Sequence, residues 1–117
     1  MEIKKPKIVE KPWGREIWLA HEGEYAGKIL EIKKDEQSSL QYHEIKKESM
    51  YVLEGTMKII TEDGSEHILN AGDSITILPG EVHRLYAIED LRIIEVSTPE
   101  LDDVVRLEDK YGRAQNQ

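Results

Sequence analysis

Residues 40–55 read LQYHEIKKESMYVLEG. Two short apolar and aromatic runs flank a polar bend, which is the pattern of a β-hairpin. Within it Gln41 and His43 stand two residues apart, and Glu48 follows just after the bend. Side chains on an extended strand alternate faces, so Gln41 and His43 share one face. Their Cα atoms then lie roughly 7 Å apart, at about 3.3 Å of rise per residue. Side chains of this length can converge on an ion with bonds of about 2.1 Å. A reversal through Glu44–Lys47 is expected to bring Glu48 back beside them on the next strand. A fourth donor, His83, follows LPGEV, where Pro79-Gly80 suits a turn that presents His83 at a strand entrance. The rest of the bend, Glu44, Lys46 and Lys47, is expected in solvent.

Outward from this stretch the chain keeps the same rhythm. Turn signals such as PWG, EGEYAG, EDGS and NAGD separate short runs such as REIWLA, KILEI, MKIIT, SITIL and LRIIEVS. Many short strands at this spacing predict an all-β sandwich or barrel. EDGS between MKIIT and EHIL predicts a hairpin, because Asp-Gly accepts the positive φ that such turns need. The 117 residues suit one domain, with a more polar tail from about residue 100. That tail is expected to pack one short element around Val104, Val105 and Leu107 and then fray.

Composition narrows the function classes. Apolar residues make up 38% and charged residues 34%, and the formal net charge is −8. This balance disfavours nucleic acid and anionic membrane as partners. No apolar run approaches the roughly 20 residues of a membrane helix. The basic start MEIKKPKIVEKPWG has no apolar stretch behind it, unlike a secretory signal. With no Cys, disulfides and thiolate metal sites are excluded. The expectation is a cytoplasmic protein.

The donor spacing resembles the two motifs of the cupin superfamily. The first runs Gly, five residues, His-x-His, three or four residues, Glu, six residues, Gly; here Asp35, Gln41-Tyr42-His43, Glu48 and Gly55 stand at those positions. The second runs Gly, five residues, Pro-x-Gly, two residues, His; here Gly72, Leu78-Pro79-Gly80 and His83 correspond. Asp35 replaces a Gly, Gln41 replaces a His, and the Pro comes one position late. Gln-x-His resembles the type II mannose-6-phosphate isomerase domain, which is found alone or fused to mannose-1-phosphate guanylyltransferase. KPWG, GKILEIKK, SSLQYH, VHRL, IIEV and DDVVRLEDKYGR match that family in order. The resemblance implies a single-domain cupin, a double-stranded β-helix or jelly-roll barrel, that often pairs as a homodimer. It implies Gln41, His43, Glu48 and His83 as metal ligands and a small-molecule sugar phosphate as substrate, with mannose 6-phosphate and fructose 6-phosphate interconverted.

Two imidazoles, one carboxylate and one amide oxygen suit a divalent transition metal: Zn, Mn, Fe, Co or Ni. Such an ion keeps a net charge near +1 beside one Glu and acts as a Lewis acid. Isomerisation also needs proton carriers and a cation for phosphate. Lys28 alternates with Leu30 and Ile32, so it is either an inward acid/base, its pKa lowered by burial, or a surface lysine. Glu95, between Ile94 and Val96, is a candidate base or a group behind the ligands. Ser39 shares the face of Gln41 and His43 and either bonds a sugar hydroxyl or caps a turn. Arg113, with Arg106 and Lys110, either clamps phosphate or belongs to a solvated charge run. Trp13 and Trp18 are expected in the core or at a dimer face. The competing functions are an Fe-dependent dioxygenase on the same barrel and a non-catalytic metal- or sugar-binding module.

Overall fold

The computed structural model describes residues 1–114; the expected fraying of the tail lies outside them. Eleven strands follow one another: β1 Lys7–Lys11, β2 Gly14–His21, β3 Ala26–Ile32, β4 Leu40–Tyr42, β5 Glu48–Glu54, β6 Thr56–Thr61, β7 Glu66–Asn70, β8 Ser74–Ile77, β9 His83–Ala87, β10 Leu91–Ser97 and β11 Val105–Glu108. They form two antiparallel sheets, with orders β1-β2-β3-β10-β5-β8 and β11-β4-β9-β6-β7. This is the all-β barrel that the strand rhythm predicts, in the double-stranded β-helix form that the resemblance implies. No helix among the described residues is long and apolar enough to cross a membrane.

Period-2 alternation builds the interior. In β3, Ala26, Lys28, Leu30 and Ile32 are buried while the residues between them are partly exposed. β10 buries Leu91, Ile93 and Glu95, and β5 buries Glu48, Met50 and Val52. Register places Leu30 against Ile93 and Ile93 against Val52, while the next inward rung sets Lys28 against Glu95. One end of the barrel is therefore an apolar core, continued by Met57, Ile59, Leu69, Ile77 and Leu85. The other end carries buried charge, and this end becomes the site.

The EDGS hairpin forms as expected: β6 pairs β7, with Gly64 at φ 84. The 40–55 stretch does not form a hairpin. β4 pairs with β11 and β9, whereas β5 pairs with β10 and β8 in the other sheet. The bend is a crossover between sheets, so Glu48 faces the histidines across the barrel interior rather than from a neighbouring strand. β1 also adds to the expected strands. Its sequence KIVEK is largely exposed, as an edge strand's can be, and gives little apolar signal.

Asp35, at the motif position expected for Gly, takes φ 65 and is the one non-Gly residue with positive φ among those described. Asp tolerates this left-handed conformation better than most residues. Gly55 closes the first motif at φ 88, where a Cβ would strike the Asp90 carbonyl oxygen.

Candidate metal centre

β9 begins at His83, just after the turn at Pro79-Gly80, where Gly80 has φ 84. His83 stands directly opposite Gln41 of β4. His43 lies one residue beyond β4, and Glu48 opens β5. His43, Glu48 and His83 are each 3% exposed, and their ligand atoms lie within 4.8 Å of one another. The Nε2 atoms of His43 and His83 stand 3.3 Å and 3.4 Å from the same oxygen, Glu48 Oε1.

The ring tautomers are set from behind. His43 Nδ1 donates to the Asp103 carbonyl at 2.6 Å, and His83 Nδ1 donates to the Glu81 carbonyl at 2.9 Å. A carbonyl only accepts, so the proton of each neutral ring sits on Nδ1 and its Nε2 presents a lone pair. His43 Nε2 is buried and finds no hydrogen-bond partner among the described residues. Two nitrogen lone pairs and a carboxylate oxygen thus converge on one point, an arrangement that fits a cation. His43, Glu48 and His83 form a group that could hold a metal ion. Gln41 borders the same cavity.

Ser39, considered above as a sugar contact, is 0% exposed, and its hydroxyl donates to Gln41 Oε1 at 2.6 Å. That bond aims the Gln41 amide and leaves Ser39 without access to a ligand.

The bend itself is curled around Asp103. The Asp103 carboxylate accepts from the backbone amides of Glu44, Ile45 and Lys46 at 3.1, 2.7 and 2.9 Å. Burial works to raise this carboxyl, but the three amides hold it below its ordinary value. The curl corrects one expectation. Glu44 and Lys47 are exposed, but Lys46 is 3% exposed and points inward. Its Nζ lies 2.9 Å from Glu48 Oε2 and 3.1 Å from Glu95 Oε2.

Lys46 thereby joins a buried chain of alternating charge. Lys28 Nζ contacts Glu16 Oε1 at 3.1 Å and Glu95 Oε2 at 3.6 Å, and Trp18 Nε1 donates to Glu16 Oε1 at 2.9 Å. Lys28 therefore takes the inward of its two expected placements. Burial opposes ionisation of Glu48, yet the Lys46 ammonium beside it helps hold its carboxyl far below the usual carboxylate range. Glu95 goes the other way: burial pushes it up, and the neighbouring Glu48 charge adds to the rise.

The cavity over these groups is also bordered by Lys11, Arg106 and Arg113. Arg113 is held by Asp109, from Nε at 2.7 Å and Nη2 at 3.2 Å. Arg106 Nε is buried with no hydrogen-bond partner among the described residues. Burial lowers the pKa of both Lys11 and Arg106, and the Arg113 charge lowers both further. Lys110 turns away and pairs with Glu36 at 3.2 Å. Lys11 and Glu16 were not expected at the site. Their only sequence signals were a place next to PWG and an inward parity on β2.

The family described as "Mannose-6-phosphate isomerase C-terminal" matches residues 1–109. The mannose-1-phosphate guanylyltransferase of Escherichia coli K12 is 37% identical over 110 residues, covering 90% of this chain and 23% of that protein. The alginate biosynthesis protein AlgA of Pseudomonas aeruginosa is 34% identical over 110 residues, with the same coverage of 90% and 23%. The chain thus spans about a quarter of the length of these relatives. Among solved structures, an RmlC-like cupin from Shewanella frigidimarina superposes with TM-score 0.74 at 21% identity, covering 83% of this chain and 86% of that one. KdgF from a Halomonas species gives TM-score 0.73 at 20% identity, covering 82% and 90%. The chain belongs to the mannose-6-phosphate isomerase C-terminal family and carries it on a cupin barrel.

Proposed function

We propose that the chain is a metal-dependent sugar-phosphate isomerase that interconverts mannose 6-phosphate and fructose 6-phosphate. One observation carries this reading: the His43–Glu48–His83 group and the cations Lys11, Arg106 and Arg113 line the same cavity. A substrate with hydroxyl or carbonyl oxygens at one end and a phosphate at the other matches that polarity. His43, Glu48, His83 and Gln41 would hold the metal. A bound divalent ion supplies Lewis-acid polarisation of a substrate oxygen.

The remaining steps fall to the chain's own groups. Arg106 would meet the phosphate with its guanidinium at the cavity border, and Arg113, braced by Asp109, adds a second, fixed one. Aldose–ketose exchange moves a proton between adjacent carbons. Glu95 and Lys28, which line the cavity 3.6 Å apart, would take and return it. The apolar residues Leu30, Ile32 and Leu85 line the same cavity and limit water around the reacting carbons.

A coupled assay of mannose 6-phosphate turnover across several divalent metals tests this reading. Turnover that requires metal is expected. No turnover with any metal, beside good turnover of another substrate, contradicts it. A second reading, a sugar-phosphate-binding module, draws on the mutual pairing of Lys28, Glu16, Glu95 and Lys46, which leaves no titratable group in that chain without a charged partner. It predicts saturable binding without turnover.

We also propose a homodimer formed through the outer face of the six-stranded sheet. Register lines up Ile8, Ile17, Ile29, Ile94 and Tyr51 in one outward row across five strands. Ile8 is 53% exposed and Tyr51 45%, with Val96 and Leu19 exposed nearby. Six strands about 4.8 Å apart and three outward rows give a face on the order of 500 Å². Two copies bury on the order of 1,000 Å², near the threshold for a specific interface. The flanking row Glu10, Arg15, Glu31, Arg92, Glu54 alternates in sign along its length. Its charges are largely neutralised within each copy, so they suit a polar rim.

A further inference from the structure

We propose that Lys46 is a positioning residue that restricts Glu48 to ligation through one oxygen. The inference rests on the metal reading above and concerns a residue outside the expected ligand set. The two oxygens of Glu48 have separate tasks. Oε1 faces the lone pairs of His43 Nε2 and His83 Nε2, whereas Oε2 lies 2.9 Å from Lys46 Nζ. A charged donor at that distance occupies the oxygen a carboxylate would otherwise turn toward an ion.

Lys46 is itself fixed on two sides. Its backbone amide donates to Asp103 Oδ2 at 2.9 Å, and its Nζ also contacts Glu95 Oε2 at 3.1 Å. At 3% exposure it has little room to withdraw into solvent. With Glu48 limited to one oxygen, a metal held by Gln41, His43, Glu48 and His83 has four protein donors and keeps an open position for a substrate oxygen. A two-oxygen Glu48 would raise the donor count by one.

Cobalt(II) alone is a suitable probe, because its visible bands are strong at four- or five-coordinate sites and weak at six-coordinate ones. Stripped wild-type protein, Lys46→Met and Lys46→Arg would each be loaded with cobalt and their bound cobalt counted. The expectation is a several-fold fall in visible absorptivity in Lys46→Met, with bound cobalt unchanged. Lys46→Arg keeps a donor to Oε2 and should keep the wild-type spectrum. Removing Lys46 leaves Glu48 and Glu95 facing each other, which threatens folding. Lys46→Met/Glu95→Gln relieves that repulsion and should show the same fall, while Glu95→Gln alone should not. A wild-type spectrum in both Met variants overturns the role of Lys46 and leaves the metal site standing. Equal loss of intensity in the Arg and Met variants also overturns it. Wild-type protein that takes up no cobalt overturns the metal reading and this inference together.

Discussion

His43 Nδ1 donates to the backbone carbonyl of Asp103 at 2.6 Å, while the Asp103 carboxylate gathers three amides of the bend that follows His43. One residue thus orients a candidate ligand and shapes the crossover that carries Lys46 and Glu48 into the barrel. Removing its side chain spares the carbonyl but releases the bend. Asp103→Ala should lose about 1 to 2 kcal/mol of stability in denaturant unfolding at neutral pH.

The same contact has a pH signature. The folded Asp103 carboxyl lies below its ordinary value because the amides favour its charged form. A depressed folded value contributes stability that is present above the unfolded value, about 3.9, and lost as pH falls through the folded one. The stability gap between wild type and Asp103→Ala should therefore narrow as unfolding is measured at successively lower pH below about 4. A gap that stays constant would show that the carboxylate charge is not what holds the bend.

Asp35 stands in the left-handed region at φ 65, and its Oδ1 accepts from Tyr86 Oη at 2.9 Å. Asp35→Gly and Asp35→Ala both lose that hydrogen bond, so their difference isolates the backbone. The Gly variant should be the more stable by about 1 kcal/mol in chemical denaturation, since only Ala meets the Cβ penalty. Equal stability would contradict the assigned conformation.

The cationic side of the cavity should bind phosphate without holding metal. Arg106→Met should raise KM for a phosphorylated sugar about 10- to 100-fold, the loss of one or two charge-assisted hydrogen bonds. Bound metal, measured in the same preparations, should not change. Loss of metal together with the rise in KM would place Arg106 in the support of the metal site instead.

The isoleucine row predicts the oligomeric state. Wild-type chain should scatter light as a dimer, and Ile94→Glu, at the centre of the outer face, should scatter as a monomer while still binding metal. A monomeric wild type would contradict the dimer and leave that face to another occupant, such as further chain of the kind the longer relatives carry.

The residues that were legible in the sequence were those whose direction a period of two decides. Lys28 is buried with Leu30 and Ile32 because all three share a parity on β3, and Glu95 follows Ile93 for the same reason. His83 sits at a strand entrance because Pro79-Gly80 makes the turn. Parity names a face but not a sheet, so Glu48 was expected on a neighbouring strand when it lies across the barrel. Lys46 lies in a bend, where parity says nothing and the direction comes from Asp103, 57 residues away. Ser39 had the expected parity, but its hydroxyl reaches Gln41 first. The conjunction of Lys11 with Arg106 and Arg113 joins the two ends of the chain around one cavity, which only the closed barrel brings together.

The most direct test of the metal centre is elemental analysis of purified protein beside His43→Ala and His83→Ala. Each variant removes one Nε2 lone pair from the point where Glu48 Oε1 converges. Close to one transition-metal ion per wild-type chain is expected, with its loss in both variants. Metal content unchanged in both variants would contradict metal binding by His43, Glu48 and His83.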